Sequence, residues 1–251
     1  MSKSKVVFIS GGARGIGEAL ARRFSRAGWC AVVSYRQDEG AANQVMEDCL
    51  RLGALEVFGV RLDLSQDQSI IQAVRQIVDR FGRIDVLINN AGTMVRKPFL
   101  EQTISEIEYQ MRVNLEGHMK LTRQCLPYIK EAVVNIGSAL GLEGHKQLAA
   151  YSAAKFGIRG FTQGLAKDCP DLLVFAVHPG LTATRMGNWA GFPPERVAEI
   201  IFNLVIRKYR VVSGADVKIR DYRWGPGLKL FVVVVSAIKN CLKHFFSDRQ
   251  V

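Results

Sequence analysis

Short runs of β-branched and other apolar residues alternate along this chain with longer segments whose apolar positions recur every three and four residues. The runs Val6–Ser10, Ala31–Tyr35, Val57–Leu62, Val86–Asn89, Val133–Ile136, Val174–His178 and Val211–Val217 predict strands. The segments Gly15–Ala27, Ala41–Leu52, Ile70–Phe81, Ile104–Tyr128, Ala149–Lys167 and Pro194–Ile206 have the period of helices that cover one face of a sheet. Strand and helix in regular turn require crossover connections. The expected architecture is therefore α/β, a single doubly wound parallel sheet with helices on both faces. No linker-like stretch breaks the alternation up to about residue 220, and residues 1–223 read as one domain.

Residues 224–251 read as an extension. Gly225-Pro226-Gly227 punctuates the chain. On a helical wheel Phe231, Val234, Val235, Ile238, Leu242 and Phe245 then fall on one side, with Lys239 and Lys243 elsewhere. A basic amphipathic helix making peripheral contact with a membrane fits this pattern. So does a helix or strand docked on the domain or on a second subunit.

Composition narrows the class. Of 251 residues 48% are apolar and 23% charged, as in ordinary globular chains with a sizeable core. Lysine and arginine number 34 against 23 acidic residues, a net +11. This excludes an acidic solvating protein and admits anionic partners, among them nucleotide phosphates, an acidic carrier protein, nucleic acid and an anionic membrane. A general excess of solvated cations accounts for it equally. No nucleic-acid recognition motif accompanies the charge. The five cysteines are scattered, without a C-x-x-C pair, and the histidines lack metal-ligand spacing, so neither a disulfide framework nor a metal site is expected. With no secretory h-region and no long apolar run, the expected location is the cytoplasm.

The chemistry begins where the first strand ends. Ser10-Gly11-Gly12-Ala13-Arg14-Gly15-Ile16-Gly17 leads from a strand into a helix, where glycines allow a phosphate close to backbone N–H groups. In a βαβ unit this reads as a dinucleotide site, the Rossmann arrangement, although the spacing G-x-x-x-G-x-G is not the usual one. The second strand ends Ser34-Tyr35-Arg36, without the acidic residue that holds a ribose 2′-hydroxyl. Arg14 and Arg36 together suit a 2′-phosphate and favour NADP(H), unless Arg36 is only a solvated turn residue. Asp63-Leu64 closes the third strand where an adenine would lie, or else Asp63 caps the next helix.

Further motifs follow in order: Asn89-Asn90-Ala91-Gly92 after the fourth strand, Ser138 after the fifth, and Tyr151-Ser152-Ala153-Ala154-Lys155 opening a helix. His178-Pro179-Gly180 with Thr182 and Thr184 comes after the sixth strand. Over about residues 5–220 the chain resembles the classical short-chain dehydrogenases/reductases, most closely their 3-oxoacyl-(acyl-carrier-protein) reductase-like group. The resemblance implies an NADP(H)-dependent reductase of a small-molecule or acyl-thioester carbonyl, working as a homo-oligomer. It implies Asn114, Ser138, Tyr151 and Lys155 as the catalytic four, with Asn90, Pro179, Gly180, Thr182 and Thr184 at the cofactor. Tyr151 would move the proton and Ser138 would hold the substrate oxygen. Lys155 and a cationic nicotinamide ring would lower the tyrosine pKa, Lys155 would also hold the nicotinamide ribose, and Asn114 would position a relay water.

Each residue also has a plain structural role open to it: Ser138 as a cap, Asn114 as a buried amide bonded to backbone, His178 as a buried structural histidine with no paired carboxylate in view. A non-catalytic NADP(H)-binding sensor or scaffold is the alternative function. The resemblance weakens in two places. The segment Arg185–Pro194, where relatives place a substrate lid, is short, and Met186, Trp189 and Phe192 suit either a substrate wall or core. The last strand runs into Lys218-Ile219-Arg220-Asp221-Tyr222 rather than Asp-Gly-Gly, which puts the family's usual subunit contacts in doubt.

Overall fold

The computed structural model describes residues 4–219 and the backbone of Val233–Val234. Seven strands form a parallel sheet: β1 Val6–Ile9, β2 Cys30–Tyr35, β3 Val57–Arg61, β4 Ile84–Asn89, β5 Ile129–Ile136, β6 Leu173–Pro179 and β7 Asp216–Ile219. Their order is β3-β2-β1-β4-β5-β6-β7, and a two-residue strand β8, Val233–Val234, pairs antiparallel with β7. The rest of the 224–251 extension lies outside the described residues.

Side-chain alternation along each strand splits the core in two. Val7, Ile9, Ala31, Val33, Val86, Ile88, Phe175 and Val177 meet helices α1 (Gly15–Ser25), α2 (Glu39–Arg51) and α7 (Pro194–Val205) through Leu20, Phe24, Val45 and Ile201. On the other face Val6, Phe8, Val32, Leu87, Val133 and Val174 meet α3 (Asp67–Phe81) and α5 (Gly117–Cys125) through Ile70, Ile77 and Leu121. Two apolar faces per strand explain why these strands read as unbroken hydrophobic runs. Helices α4 (Ile104–Met111) and α6 (Ala149–Asp168) complete the set. The order of strands reverses between β1 and β4, and in such sheets the crevice beyond the carboxyl ends at that reversal takes ligands.

Two expectations change. The predicted helix Ile104–Tyr128 is broken into α4, a π-helical turn Arg112–Glu116, α5 and a 3₁₀ turn Leu126–Tyr128. The predicted strand Val211–Val217 begins five residues later. Ser213-Gly214 forms a turn in which Gly214 has φ +85° and the Ala215 N–H bonds to the Val212 carbonyl. Among the described residues no helix is long and apolar enough to cross a membrane.

Candidate active site

The loop after β1 is built to approach something closely. Gly15 has φ +56°, and a Cβ there would lie 3.0 Å from the Thr184 side chain, so the first turn of α1 faces the segment after β6. A Cβ on Gly17 would collide with the Gly11 carbonyl oxygen. Ser10 and Asn90 shape this loop from within: Ser10 Oγ accepts from the Asn90 and Ala91 N–H groups at 2.9 and 3.1 Å, and Asn90 Nδ2 donates to the Ser10 and Gly11 carbonyls at 3.0 Å. Ser34 Oγ, which the sequence did not single out, accepts from the Gly11 N–H at 3.0 Å and ties β2 to the loop. The open cradle of N–H groups at the α1 N-terminus, with Ile16 behind it, fits a dinucleotide pyrophosphate.

Around the expected adenosine end, Arg14 is exposed at the N-terminus of α1. The Arg36 guanidinium bonds to the Tyr109 hydroxyl and to Gln37 Oε1, both uncharged, so its full charge stays available at the sheet edge. Tyr109 comes from α4, whose start is fixed by reciprocal bonds between Thr103 and Glu106. Tyr35 ends β2 half-buried, and Leu64 is buried. Asp63 turns inward: Oδ1 accepts from the Ser65 N–H and hydroxyl at 2.9 and 2.7 Å, an Asx turn ahead of α3.

The expected catalytic residues converge beyond β4 and β5. Tyr151 and Lys155 lie four apart on α6, both buried, with Lys155 Nζ 5.9 Å from the Tyr151 ring centre. Lys155 Nζ donates to the Ile136 carbonyl at 2.8 Å, and burial lowers its pKa to about 8. The expected lowering of the tyrosine draws on the Lys155 ammonium and on a cationic nicotinamide ring together. Burial pushes the Tyr151 phenol up, and the hydrogen bond from Ser138 offsets it only in part. Ser138 Oγ also accepts from the Leu140 N–H at 3.1 Å, so it caps the 3₁₀ turn Ala139–Gly141 and keeps its own hydrogen for donation. Asn114 sits inside the π turn, fully buried, with Oδ1 accepting from the Thr93 N–H at 2.9 Å and Nδ2 donating to the Thr93 carbonyl at 2.8 Å. Its side chain is thus bound to backbone, in a widened turn of a kind that recurs at functional sites.

Strand β6 ends on Pro179, Gly180 follows it, Thr182 Oγ1 donates to the Gly180 carbonyl at 3.1 Å, and Thr184 reaches the glycine loop. In the short segment that follows, Phe192 is core, whereas Met186 and Trp189 are exposed. Met186 stands over Gly92. His178 is not unpaired as expected: Asp216 is 2.8 Å from its Nε2.

One turn beyond Asn114 is His118, which sequence spacing did not mark. Nε2 donates to the Ala91 carbonyl at 2.7 Å, and Nδ1 is buried without a partner. Burial, then the Lys155 charge, depress its pKa to about 3 against the bond to Ala91. The folded chain therefore takes up fewer protons than the unfolded one between about pH 6.5 and 3, and His118 lowers stability progressively as pH falls through that window. Replacing His118 with leucine is expected to spare on the order of 3 kcal/mol of the stability lost between pH 7 and pH 4. Urea unfolding at the two pH values checks this, and equal losses in both proteins would refute it.

Known proteins are similar to this chain in sequence and in fold. The model of the short chain dehydrogenase family matches residues 5–191. The chain is 34% identical over 190 residues to the 3-oxoacyl-(acyl-carrier-protein) reductase of Aquifex aeolicus, covering 73% of this chain and 76% of that one. It is 32% identical over 235 residues to the trans-4-hydroxycyclohexanecarboxylate dehydrogenase of Sinomonas cyclohexanicum, covering 86% and 91%. A short chain dehydrogenase from Burkholderia cenocepacia, solved in complex with NADP, superposes with TM-score 0.80 at 26% identity, over 86% of this chain and 96% of that one. The doubly wound sheet, the glycine cradle at its reversal and these relatives agree, and the chain belongs to the short-chain dehydrogenase family of oxidoreductases.

Proposed function

We propose that this protein is an NADP(H)-dependent carbonyl reductase in which Tyr151 is the general acid. The observation that carries the reading is the buried Tyr151–Lys155 pair, with Ser138 near enough to the phenol to lower its pKa, at the carboxyl edge next to the glycine cradle. Gly11, Arg14, Gly15, Ile16 and Gly17 would hold the pyrophosphate, Arg14 and Arg36 the 2′-phosphate, and Pro179, Gly180, Thr182 and Thr184 the nicotinamide end. Bound there, the nicotinamide supplies a hydride to the carbonyl carbon.

The chain's own residues handle the oxygen. Ser138 donates to it and fixes its direction, and Tyr151 gives it the proton it needs as the carbon–oxygen double bond becomes single. A phenol raised by burial is fully protonated at neutral pH, the state that a reduction consumes. Lys155, held on the Ile136 carbonyl beneath the ring, places a positive charge where phenolate develops. Asn114 fixes the Thr93 backbone and the π turn against the site.

The test follows NADPH oxidation against a panel of acetoacetyl thioesters, ketosteroids, sugars, quinones and simple aldehydes. Turnover of a carbonyl compound is expected, and absence of turnover across the panel with NADPH bound would overturn the reading. Cofactor choice has its own check. Arg36→Glu is expected to lower kcat/KM for NADPH by about tenfold to a hundredfold, the loss of a charge-assisted phosphate contact, and to change kcat/KM for NADH by less than about threefold. An unchanged ratio between the two cofactors would remove Arg36 from the site.

A further inference from the structure

Next to the last residue of strand β6 stands His178, whose buried ring lies between the backbone of Ser138 and a carboxylate. Nδ1 is 3.0 Å from the Ser138 carbonyl oxygen and 3.4 Å from its amide nitrogen. Nε2 is 2.8 Å from Asp216 Oδ1, and a carboxylate there keeps a hydrogen on that nitrogen. The ring holds Ser138 in either protonation state, accepting from the amide when neutral and donating to the carbonyl when charged. Asp216 is buried in its turn, and its Oδ2 accepts from Arg159 Nε and Nη2 at 3.0 and 2.8 Å.

Arg159 belongs to the same stripe of α6 as the catalytic pair, since Tyr151, Lys155 and Arg159 follow one another at intervals of four. The contacts therefore run as a chain from α6 through Arg159 to Asp216 on β7, to His178 on β6 and to Ser138 beyond β5, whose influence on the Tyr151 phenol leads back to α6. Gly137 sits inside it, and a Cβ at that position would fall on the His178 ring. Stability alone does not call for such a chain, because apolar side chains of similar volume usually serve a buried site as well as charges do. What the chain does specify is the placement of one backbone, that of Ser138.

We propose that Arg159, Asp216 and His178 are positioning residues that hold Ser138 at a fixed distance from Tyr151 and, because His178 runs directly into Pro179-Gly180, fix this pair relative to the nicotinamide-binding turn. The inference rests on the reading of Ser138 and Tyr151 as the groups that meet the substrate oxygen.

Asp216→Asn keeps the shape and removes the charge. With the panel compound turned over fastest, its kcat per bound NADPH is expected to fall about tenfold to a hundredfold, with KM for NADPH within about twofold. The deuterium isotope effect on kcat with NADPH labelled at the transferred position is expected to rise, as hydride transfer becomes limiting. Asp216→Glu, which restores the carboxylate, is expected to recover most of the loss. A structural role alone would reduce the number of NADPH-binding sites and leave kcat per site and the isotope effect unchanged, and that result would overturn the inference. Should Asp216→Asn fail to fold by circular dichroism, Arg159→Met, at the solvent-facing end of the chain, is expected to move the isotope effect in the same direction with a smaller loss. Tyr151→Phe, run alongside, separates the two readings. If it retains turnover, the assignment of the site fails. If it is inactive while Asp216→Asn matches the unmodified protein, only the positioning role fails.

Discussion

Tyr151→Phe is expected to reduce turnover by at least about a thousandfold while leaving NADPH affinity within about threefold. The substitution removes one oxygen from a buried ring and leaves the packing of α6 against the site intact. Ser138 loses the phenol but keeps its bond from the Leu140 N–H, and Lys155 keeps the Ile136 carbonyl, so no charged group is left without a partner. What disappears is the proposed acid. Water is poorly placed to replace it, because the Tyr151 side chain is buried. The measurement pairs steady-state NADPH oxidation with NADPH fluorescence titration. A variant that binds cofactor and still turns over at a tenth of the original rate or faster would show that another group supplies the proton.

Much of this was legible in the sequence because the local rules agree with the fold. The strands are buried on both faces, so they appear as unbroken β-branched runs, and the glycine loop, Asn90, Ser138 and the Tyr-x-x-x-Lys pair all fall at strand ends or helix starts. The failures have particular causes. A single widened turn at Arg112–Glu116 leaves the apolar spacings on either side at three and four, so periodicity runs through it and hides the turn that holds Asn114. Val211 and Val212 have the character of strand residues, yet Ser213-Gly214 turns the chain after them and moves the true start of β7 to Asp216.

That displacement also hid the partner of His178. The two residues are 38 positions apart and meet only because β6 and β7 pair with Ala176 opposite Asp216. Register between distant parallel strands is set by packing, and no local pattern carries it. The same holds for Tyr109 on Arg36 and for His118 under Ala91: each is a contact between elements, made by a residue unremarkable in its own segment.

Lys155→Met is expected to abolish turnover and yet make the cofactor-free protein no less stable at pH 7. In the folded chain this lysine has its pKa lowered by burial from 10.5 to about 8, so its charge is disfavoured inside by an amount on the order of 3 kcal/mol. The sign follows from proton uptake. Between about pH 8 and 10.5 the unfolded chain binds more protons than the folded one, so stability contributed through this residue rises with pH across that window. Below about pH 8 the whole penalty is present. Methionine has similar length and no charge to desolvate, and the only bond lost is that to the Ile136 carbonyl, which sets back about 1 to 3 kcal/mol of the gain. Denaturant unfolding of both proteins from pH 7 to 10.5 is expected to show the original chain gaining relative to the variant as pH rises. A variant much weaker than the original at pH 7, with no pH-dependent difference between them, would mean that the ammonium stabilises the fold. On the proposed mechanism, the fold tolerates a buried charge at Lys155 because proton transfer from Tyr151 would require one.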